Sequence, residues 1–304
     1  MRSRRPAVPA SGGWPRRLLV LLVLVAAACT ARPATAESAV AVERVTVPAR
    51  AGAGGDDGAV VDLAAWYSRP AADGPVPAVL LLHGCSGPGR NLRQWRRFLD
   101  ARGLAVLNLD SFGARGVQEI CSDFSRVTDA QRRGDATAAL AWLAARPEID
   151  ATRIAVMGFS HGGGIALDLA ARRPPGATAA FRAAIAFYPA CRRRARQEAE
   201  YAIPLQILVG DADDWTPAAR CTELRARSRG IPVELEVYPD AQHAFDVPGL
   251  ATVHRPDVQN INSPTGRGAT SGGDPAALAA AETAVASFLE RRLRAKDTEK
   301  RPSE

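Results

Sequence analysis

The chain has 304 residues, 47% of them hydrophobic and 23% charged, which is enough to bury a large core in one large domain or two small ones. Its formal charge of +7 is deceptive, because six arginines and no acid fall in residues 1–36 and the remainder is close to neutral. That balance removes any electrostatic case for nucleic-acid binding, and no Cys/His spacing resembles a metal site.

The first segment reads as a targeting sequence. A basic stretch up to Arg17 precedes the apolar run from Leu18 to Ala28, which at 11 residues is too short for a comfortable membrane span. Ala34-Thr35-Ala36 then fits a small-x-small cleavage site. The expectation is a cleavable signal peptide over 1–36, Glu37 as the new N-terminus, and a periplasmic or extracellular protein with no membrane span. An uncleaved anchor helix is one alternative. Lipidation of Cys29 is another, weakened by an alanine where a leucine is expected three residues earlier. Arg4-Arg5 followed by Pro6-Ala7 makes a poor twin-arginine signal. Export puts Cys85, Cys121, Cys191 and Cys221 in an oxidising compartment. The pairs Cys85–Cys121 and Cys191–Cys221 are expected, since each joins neighbouring strand-end loops.

Strand and helix patterns then alternate to about residue 294 with no obvious linker, which favours one α/β domain over 37–295. Val42 to Val47 reads as a first strand, and Gly52 to Gly58 as a turn rich in Gly and Asp. Ala59 to Tyr67 alternates and reads as a strand near one edge. Ala78 to Leu82 is a continuous apolar run, the mark of a central parallel strand covered on both faces. It leads into His83-Gly84-Cys85-Ser86-Gly87-Pro88-Gly89, a loop whose N–H groups can face a ligand. Asn91 to Arg102 reads as a helix and Leu104 to Leu109 as a buried strand. Asp110 in the next loop is read as structural, bonding nearby backbone N–H groups. Arg115 is read as a solvated loop arginine in preference to a holder of a substrate carboxylate. Asp129 to Ala145 reads as a helix and Arg153 to Met157 as a strand.

Ala183 to Phe187, Leu205 to Val209 and Val233 to Tyr238 read as further strands, the last of these closing the set. The mixed charges of Arg192 to Glu200 read as a solvated face. A helix is expected from near Pro217. Asp246 to Asp274 is polar and broken by Gly and Pro, so it reads as a long loop, either a flexible insertion or a lid. Pro275 to Arg294 reads as a closing helix, and 296–304 as a disordered tail.

The chemistry centres on Gly158-Phe159-Ser160-His161-Gly162. A β-branched run precedes it and a helical pattern follows, so the motif must turn sharply from strand to helix. Such a turn lifts the Ser160 hydroxyl out of the backbone, and glycines admit the close approach on either side. A serine hydroxyl needs a general base, and the base needs a carboxylate to fix its tautomer. The chain holds four histidines. His83 sits in the glycine-rich loop, His161 is next to the serine and points away from it, and His254 lies in the long loop. His243 follows the strand Val233–Tyr238, at the same sheet edge as Ser160. Asp211, Asp213 and Asp214 all follow the strand Leu205–Val209. The order serine, aspartate, histidine is that of the α/β-hydrolase triad. The oxyanion of acyl transfer needs two donors, and the backbone N–H groups of Cys85 and His161 are the candidates.

From about Ala59 to Arg294 the chain resembles the dienelactone hydrolase family. The residues that carry the resemblance are Leu82-His83-Gly84-Cys85-Ser86-Gly87, Gly158-Phe159-Ser160-His161-Gly162-Gly163, Gly210-x-x-Asp213-Asp214-Trp215-Thr216-Pro217, and Tyr238-x-x-Ala241-x-His243-x-Phe245. The resemblance implies an α/β-hydrolase fold, a mostly parallel central sheet with helices on both faces, and ester-hydrolase chemistry without a cofactor. Its Gly-x-x-Asp-x-x-x-Pro pattern implies Asp213 as the acid, with Asp214 as runner-up. Three departures argue against a dienelactone substrate. Ser160 stands where those enzymes use cysteine, Gly84 where they carry a glutamate, and Val247 where they carry a carboxylate-binding arginine. The expected function is hydrolysis of a small-molecule carboxylic ester through Ser160, Asp213 and His243. Competing readings are a peptidase resembling the prolyl oligopeptidase catalytic domain and a hydrolase-fold binding protein without activity.

Overall fold

A run of five apolar residues can be buried on both faces only if helices cover both sides of its sheet, and Ala78–Leu82 is buried in that way. The computed structural model describes residues 40–50, 59–171, 179–192 and 200–294, all within the unit Ala39–Glu304. The expected leader, the Gly/Asp turn, most of the charged stretch at 192–200 and the expected tail lie outside the described residues.

In chain order the first half comprises β1 (Val42–Arg50), β2 (Val60–Ser68), β3 (Val76–Leu82), α1 (Arg90–Asp100), β4 (Ala105–Leu109), α2 (Asp129–Ala144), β5 (Ile149–Phe159) and α3 (His161–Ala171). The second half comprises β6 (Ala183–Phe187), β7 (Glu200–Tyr201), β8 (Leu205–Gly210), α4 (Ala218–Arg227), β9 (Arg229–Gly230), β10 (Val233–Tyr238), β11 (Val253–Gln259), β12 (Arg267–Ser271) and α5 (Pro275–Leu293). Eight strands form the main sheet in the order β1-β2-β4-β3-β5-β6-β8-β10. β1 and β2 pair antiparallel, and β2 meets β4 antiparallel. The remaining neighbours are all parallel.

Alternate residues of the central strands enter opposite cores, as the period of a strand requires. Leu80, Leu82, Val156, Ala184 and Ile207 join α2, α3 and α4 on one face. Val79, Leu81, Ala155, Met157 and Ile185 join α1 and α5 on the other. Thr128 caps α2 through a capping box with Gln131. Asp274 caps α5, with Pro275 at its first turn. The carboxyl ends of β3, β5, β6, β8 and β10 come out side by side, Leu82 beside Gly158, Phe159 beside Phe187, and Gly210 beside Tyr238. Both expected disulfides form, Cys85–Cys121 and Cys191–Cys221. No helix among the described residues is long and apolar enough to cross a membrane.

Two expectations need correction. Arg115 is not a solvated loop residue. It makes a bidentate ion pair with the buried Asp135, at 2.8 and 2.9 Å, and donates to the Ser111 carbonyl. That pair closes the loop after β4 onto α2. The long polar segment after Asp246 is not an irregular loop either. It contains the antiparallel ribbon β11–β12, irregular between Arg255 and Gln259, where Pro256 cannot donate to the ladder. Its inner residues Val258 and Ala269 pack on Trp215, Phe112 and the Cys85–Cys121 disulfide. So few apolar positions in so many polar ones leave no period to read in the sequence. β10 is accordingly the last strand of the main sheet but not of the chain.

Each disulfide closes a loop of some thirty residues, with sequence separations of 36 and 30. On a chain-entropy account each contributes about 3–4 kcal/mol. Replacing both Cys191 and Cys221 by serine is expected to lower the unfolding free energy by that amount in urea titration. Equal midpoints for the two proteins would show that the link adds nothing.

Candidate active site

The turn after β5 is built from close backbone contacts. Ser160 lies in the left-handed region at φ +53°, a conformation costly for a residue with a side chain. A Cβ on Gly158 would stand 2.1 Å from the Gly162 carbonyl oxygen, and one on Gly162 would stand 2.3 Å from that of Leu82. Only glycine fits at either place. The Ser160 N–H donates to Phe187 (2.9 Å), and the Gly164 N–H closes the first turn of α3 on the Ser160 carbonyl (2.9 Å).

The three residues singled out by order along the chain come together. His243 Nε2 lies 2.9 Å from Ser160 Oγ, and His243 Nδ1 lies 2.8 Å from Asp213 Oδ2. The imidazole is held between the rings of Tyr188 and Trp215, with centroids 4.6 and 4.7 Å away, and is only 3% exposed. Asp213 is also buried. Burial alone pushes its carboxyl up, but the charge and hydrogen bond of His243 and the donors of Thr216 outweigh that and hold it below the ordinary carboxylate value. Its Oδ1 accepts the N–H groups of Trp215 (2.9 Å) and Thr216 (2.8 Å). Asp214 does a different job. Its carboxylate accepts the N–H and hydroxyl of Thr270 and so pins β12. The ribbon is tied down elsewhere by Trp215 Nε1 donating to the Gln259 carbonyl, and by the Gly272 N–H donating to the His243 carbonyl, both at 2.9 Å.

The candidate oxyanion donors belong to the loop after β3 and to the first residue of α3. Ser111 N–H donates to His83 Nε2 (3.1 Å), so the proton of this buried ring is on Nδ1, which donates to the Gly84 carbonyl (2.7 Å). A carbonyl and the N–H of the same trans peptide point opposite ways. Anchoring the Gly84 carbonyl therefore turns the Cys85 N–H to the far side, and that N–H meets no acceptor among the described residues. His161 opens α3, where the first N–H groups point out along the axis. Its side chain points away from Ser160 and stacks on Phe124, and its Nε2 lies 3.0 Å from Asp129 Oδ1, to which it donates. Beneath both donors lies Arg132, buried on α2, which donates to the His83 carbonyl (2.8 Å) and to His161 Nδ1 (2.9 Å). Burial lowers its pKa to about 10, so it stays a cation at neutral pH.

Sequence reasoning gave no role to Arg132, Tyr188, Thr216 or Asp246. Asp246 is fully buried and accepts from Tyr188 Oη (2.5 Å), Trp95 Nε1 (2.9 Å) and Asn91 Nδ2 (3.1 Å). Burial pushes its carboxyl up. This network fixes the Tyr188 ring against His243. Thr216 is the one member with a local signal, since a threonine three residues after an aspartate can close a turn on it. His254 sits on β11, paired with Thr270 across the ribbon. No cluster of His, Cys, Asp or Glu suited to a metal ion occurs among the described residues.

Two chambers open on Ser160. The smaller, about 250 Å³, runs between the 84–87 loop and His243. The larger, about 750 Å³, runs past His161 between α4 and the β11–β12 ribbon. A serine and a base oriented by a buried carboxylate can together attack a carbonyl and protonate a leaving group.

Comparison with known proteins places the chain. The model of the dienelactone hydrolase family matches residues 63–292. A Mycobacterium tuberculosis protein described only as uncharacterised is 28% identical over 201 residues, 60% of this chain and 68% of its own. A Bradyrhizobium protein named "Probable 2-oxo-3-(5-oxofuran-2-ylidene)propanoate lactonase" is 26% identical over 199 residues, 60% of this chain and 78% of its own. The crystal structure of a dienelactone hydrolase from Anabaena variabilis superposes with a TM-score of 0.59 at 20% identity, covering 84% of this chain and 99% of that one. That likeness establishes the α/β-hydrolase fold.

The buried His83 makes stability pH-dependent with a definite sign. Burial first, then the nearby Arg132, hold its pKa well below 6.5. The unfolded chain takes up a proton on this side chain near pH 6.5 while the native state does not. Stability is therefore complete above that pH and falls as pH drops below it, by at most about 1.4 kcal/mol per pH unit. In His83→Asn, urea unfolding between pH 7.5 and 5.5 should show a flatter dependence, by up to about one proton. An unchanged slope would remove His83 from the account.

Proposed function

The chain belongs to the dienelactone hydrolase family, and from that premise we propose that it is an exported serine hydrolase that cleaves a carboxylic ester. Ser160 is the nucleophile, His243 the general base and then the general acid, and Asp213 the carboxylate that fixes the imidazole tautomer. The observation that carries the reading is the pair of contacts from one imidazole, 2.9 Å to Ser160 Oγ and 2.8 Å to Asp213 Oδ2.

In the first half-reaction Ser160 Oγ bonds to the ester carbon while its proton passes to His243 Nε2. The carbonyl oxygen becomes an oxyanion that accepts from the Cys85 and His161 N–H groups. The carbon–alkoxy bond then breaks, and His243 gives its proton to the departing alcohol. Water repeats the cycle on the acyl-enzyme, with His243 again taking and returning one proton, and the acid leaves. The positive imidazolium formed on the way is stabilised by Asp213, whose depressed pKa keeps it ionised. Ser160, Gly84 and Val247 stand at three positions where the resemblance implies cysteine, glutamate and arginine in enzymes that open dienelactones. That set supports a general ester over a dienelactone.

Wild-type protein should release p-nitrophenol from short p-nitrophenyl esters. Ser160→Ala should lower kcat by roughly 10⁴-fold or more. Asp213→Asn, which keeps the shape but not the charge, should lower it by roughly 10³–10⁴-fold. Full activity in Ser160→Ala, or cleavage of peptide amides in place of esters, would overturn the assignment.

Export is supported by the basic and apolar leader and by the two disulfides. Expressed with its leader in a Gram-negative host, the soluble protein should be recovered from the periplasm with Glu37 as the N-terminal residue in Edman sequencing. A mature chain beginning at Cys29, or an intact leader held in the membrane, would refute that cleavage.

A further inference from the structure

The two chambers are not equivalent chemically, because only the smaller is lined by His243. During acyl transfer the alcohol oxygen must reach His243 Nε2 to be protonated. That requirement places the alcohol in the smaller chamber. The oxyanion faces the Cys85 and His161 N–H groups. The remaining bond of the tetrahedral carbon, to the acyl chain, is left to point past His161 into the chamber of about 750 Å³.

The charge around Ser160 is one-sided as well. Arg90 and Arg255 line the smaller chamber, and Arg192, Arg220 and Arg267 line the larger. Among the lining residues one carboxylate, Asp129, stands against these five cations, and it is already paired with His161. In the larger chamber Arg192 and Arg267 donate to the backbone carbonyls of Ile261 (2.6 Å) and Asp257 (2.7 Å), and neither makes an ion pair with a carboxylate among the described residues. Arg220 has an exposed partner in Glu223 at 3.2 Å. The three arginines come from three separate segments, one of them the ribbon, and converge on one cavity. Helix α4 starts at the same wall, with no side-chain cap and no acid in its first turn, and its N-terminus adds positive potential.

We propose that the larger chamber receives the acyl part of the ester, and that the favoured substrates are half-esters of bulky dicarboxylic acids, whose free carboxylate reaches the Arg192–Arg220–Arg267 cluster. This rests on the ester-hydrolase reading. The ribbon β11–β12 is then a specificity element, since it supplies one wall of the chamber and Arg267.

The test compares p-nitrophenyl hexanoate with mono-p-nitrophenyl adipate, which differ only in a terminal carboxylate. A charge-assisted hydrogen bond corresponds to about tenfold in kcat/KM, so the adipate should be favoured by about that factor at low ionic strength. The preference should shrink as sodium chloride is added, because the arginines are partly exposed. It should collapse to about parity in the Arg192→Gln, Arg220→Gln, Arg267→Gln triple variant. The ratio is read within each protein, so partial misfolding of a variant cancels. The direction of binding is tested with isomers, monoethyl adipate against 6-acetoxyhexanoate, where the charge lies on the acyl and alcohol sides respectively. The acyl-charged isomer should turn over faster. Hexanoate cleaved as well as adipate, a preference that survives the triple substitution, or faster cleavage of 6-acetoxyhexanoate would overturn the proposal and leave the esterase reading standing. Failure to cleave any ester would bring down both.

Discussion

The structure depends on how closely the chain after β5 can fold back on itself. Ser160 is held at φ +53°, and the turn around it leaves 2.1 Å between a would-be Cβ of Gly158 and the Gly162 carbonyl. Those contacts put the hydroxyl at the carboxyl edge of the sheet and start α3 one residue later. A parallel sheet is what makes that edge useful. The ends of β3, β8 and β10 arrive at the same rim and bring the Cys85 loop, Asp213 and His243 within reach of one hydroxyl. A slip of register in any of these strands would separate groups that must lie within about 3 Å.

Around that point the protein spends its buried polar groups on orientation. His83 ties down the Gly84 carbonyl and so aims the Cys85 N–H. Arg132 links the loop after β3 to the start of α3. Asp246 holds Tyr188 against one side of the His243 ring, and Trp215 packs on the other. Each of these buried residues has at least one partner of matching chemistry, although Arg132 Nε has none among the described residues, and those contacts offset part of the cost of removing them from water.

The adjacent carboxylates Asp213 and Asp214 show how tertiary structure divides the work of neighbours. One turns inward, is buried, and bonds the imidazole. The other turns outward and fastens β12 through Thr270. The ribbon fastened there closes one side of the larger chamber and joins the Trp215 and His243 loops into one body.

Much of this was legible in the chain. Ala78–Leu82 and Ala183–Phe187 are apolar throughout, and Leu205–Val209 is apolar but for Gln206, so their burial on both faces was fixed before any contact was known. Gly158-x-Ser160-x-Gly162 could only be a tight turn, and the order Ser160, Asp213, His243 followed from a short search among four histidines. The pairing of cysteines was legible because Cys85, Cys121 and Cys191 follow strand ends and Cys221 lies near the start of α4, soon after the end of β8. Arg115 and Arg132 were not legible. In sequence Arg115 is a lone cation in a glycine-bearing loop and Arg132 a polar residue among polar neighbours, and only the packing of α2 against the loops after β3 and β4 turns them inward. The ribbon was hidden for a similar reason, since Val258 and Ala269 have apolar partners only across space, in Cys121, Phe112 and Trp215. Local sequence determined what local physics sets: strand burial, the elbow, the caps and the reactive residue types. Which aspartate faces His243, which way the Cys85 N–H points and where the arginines gather depended on residues far apart in the chain, because hydrogen bonds and charge act on distance in space and not on distance along the backbone.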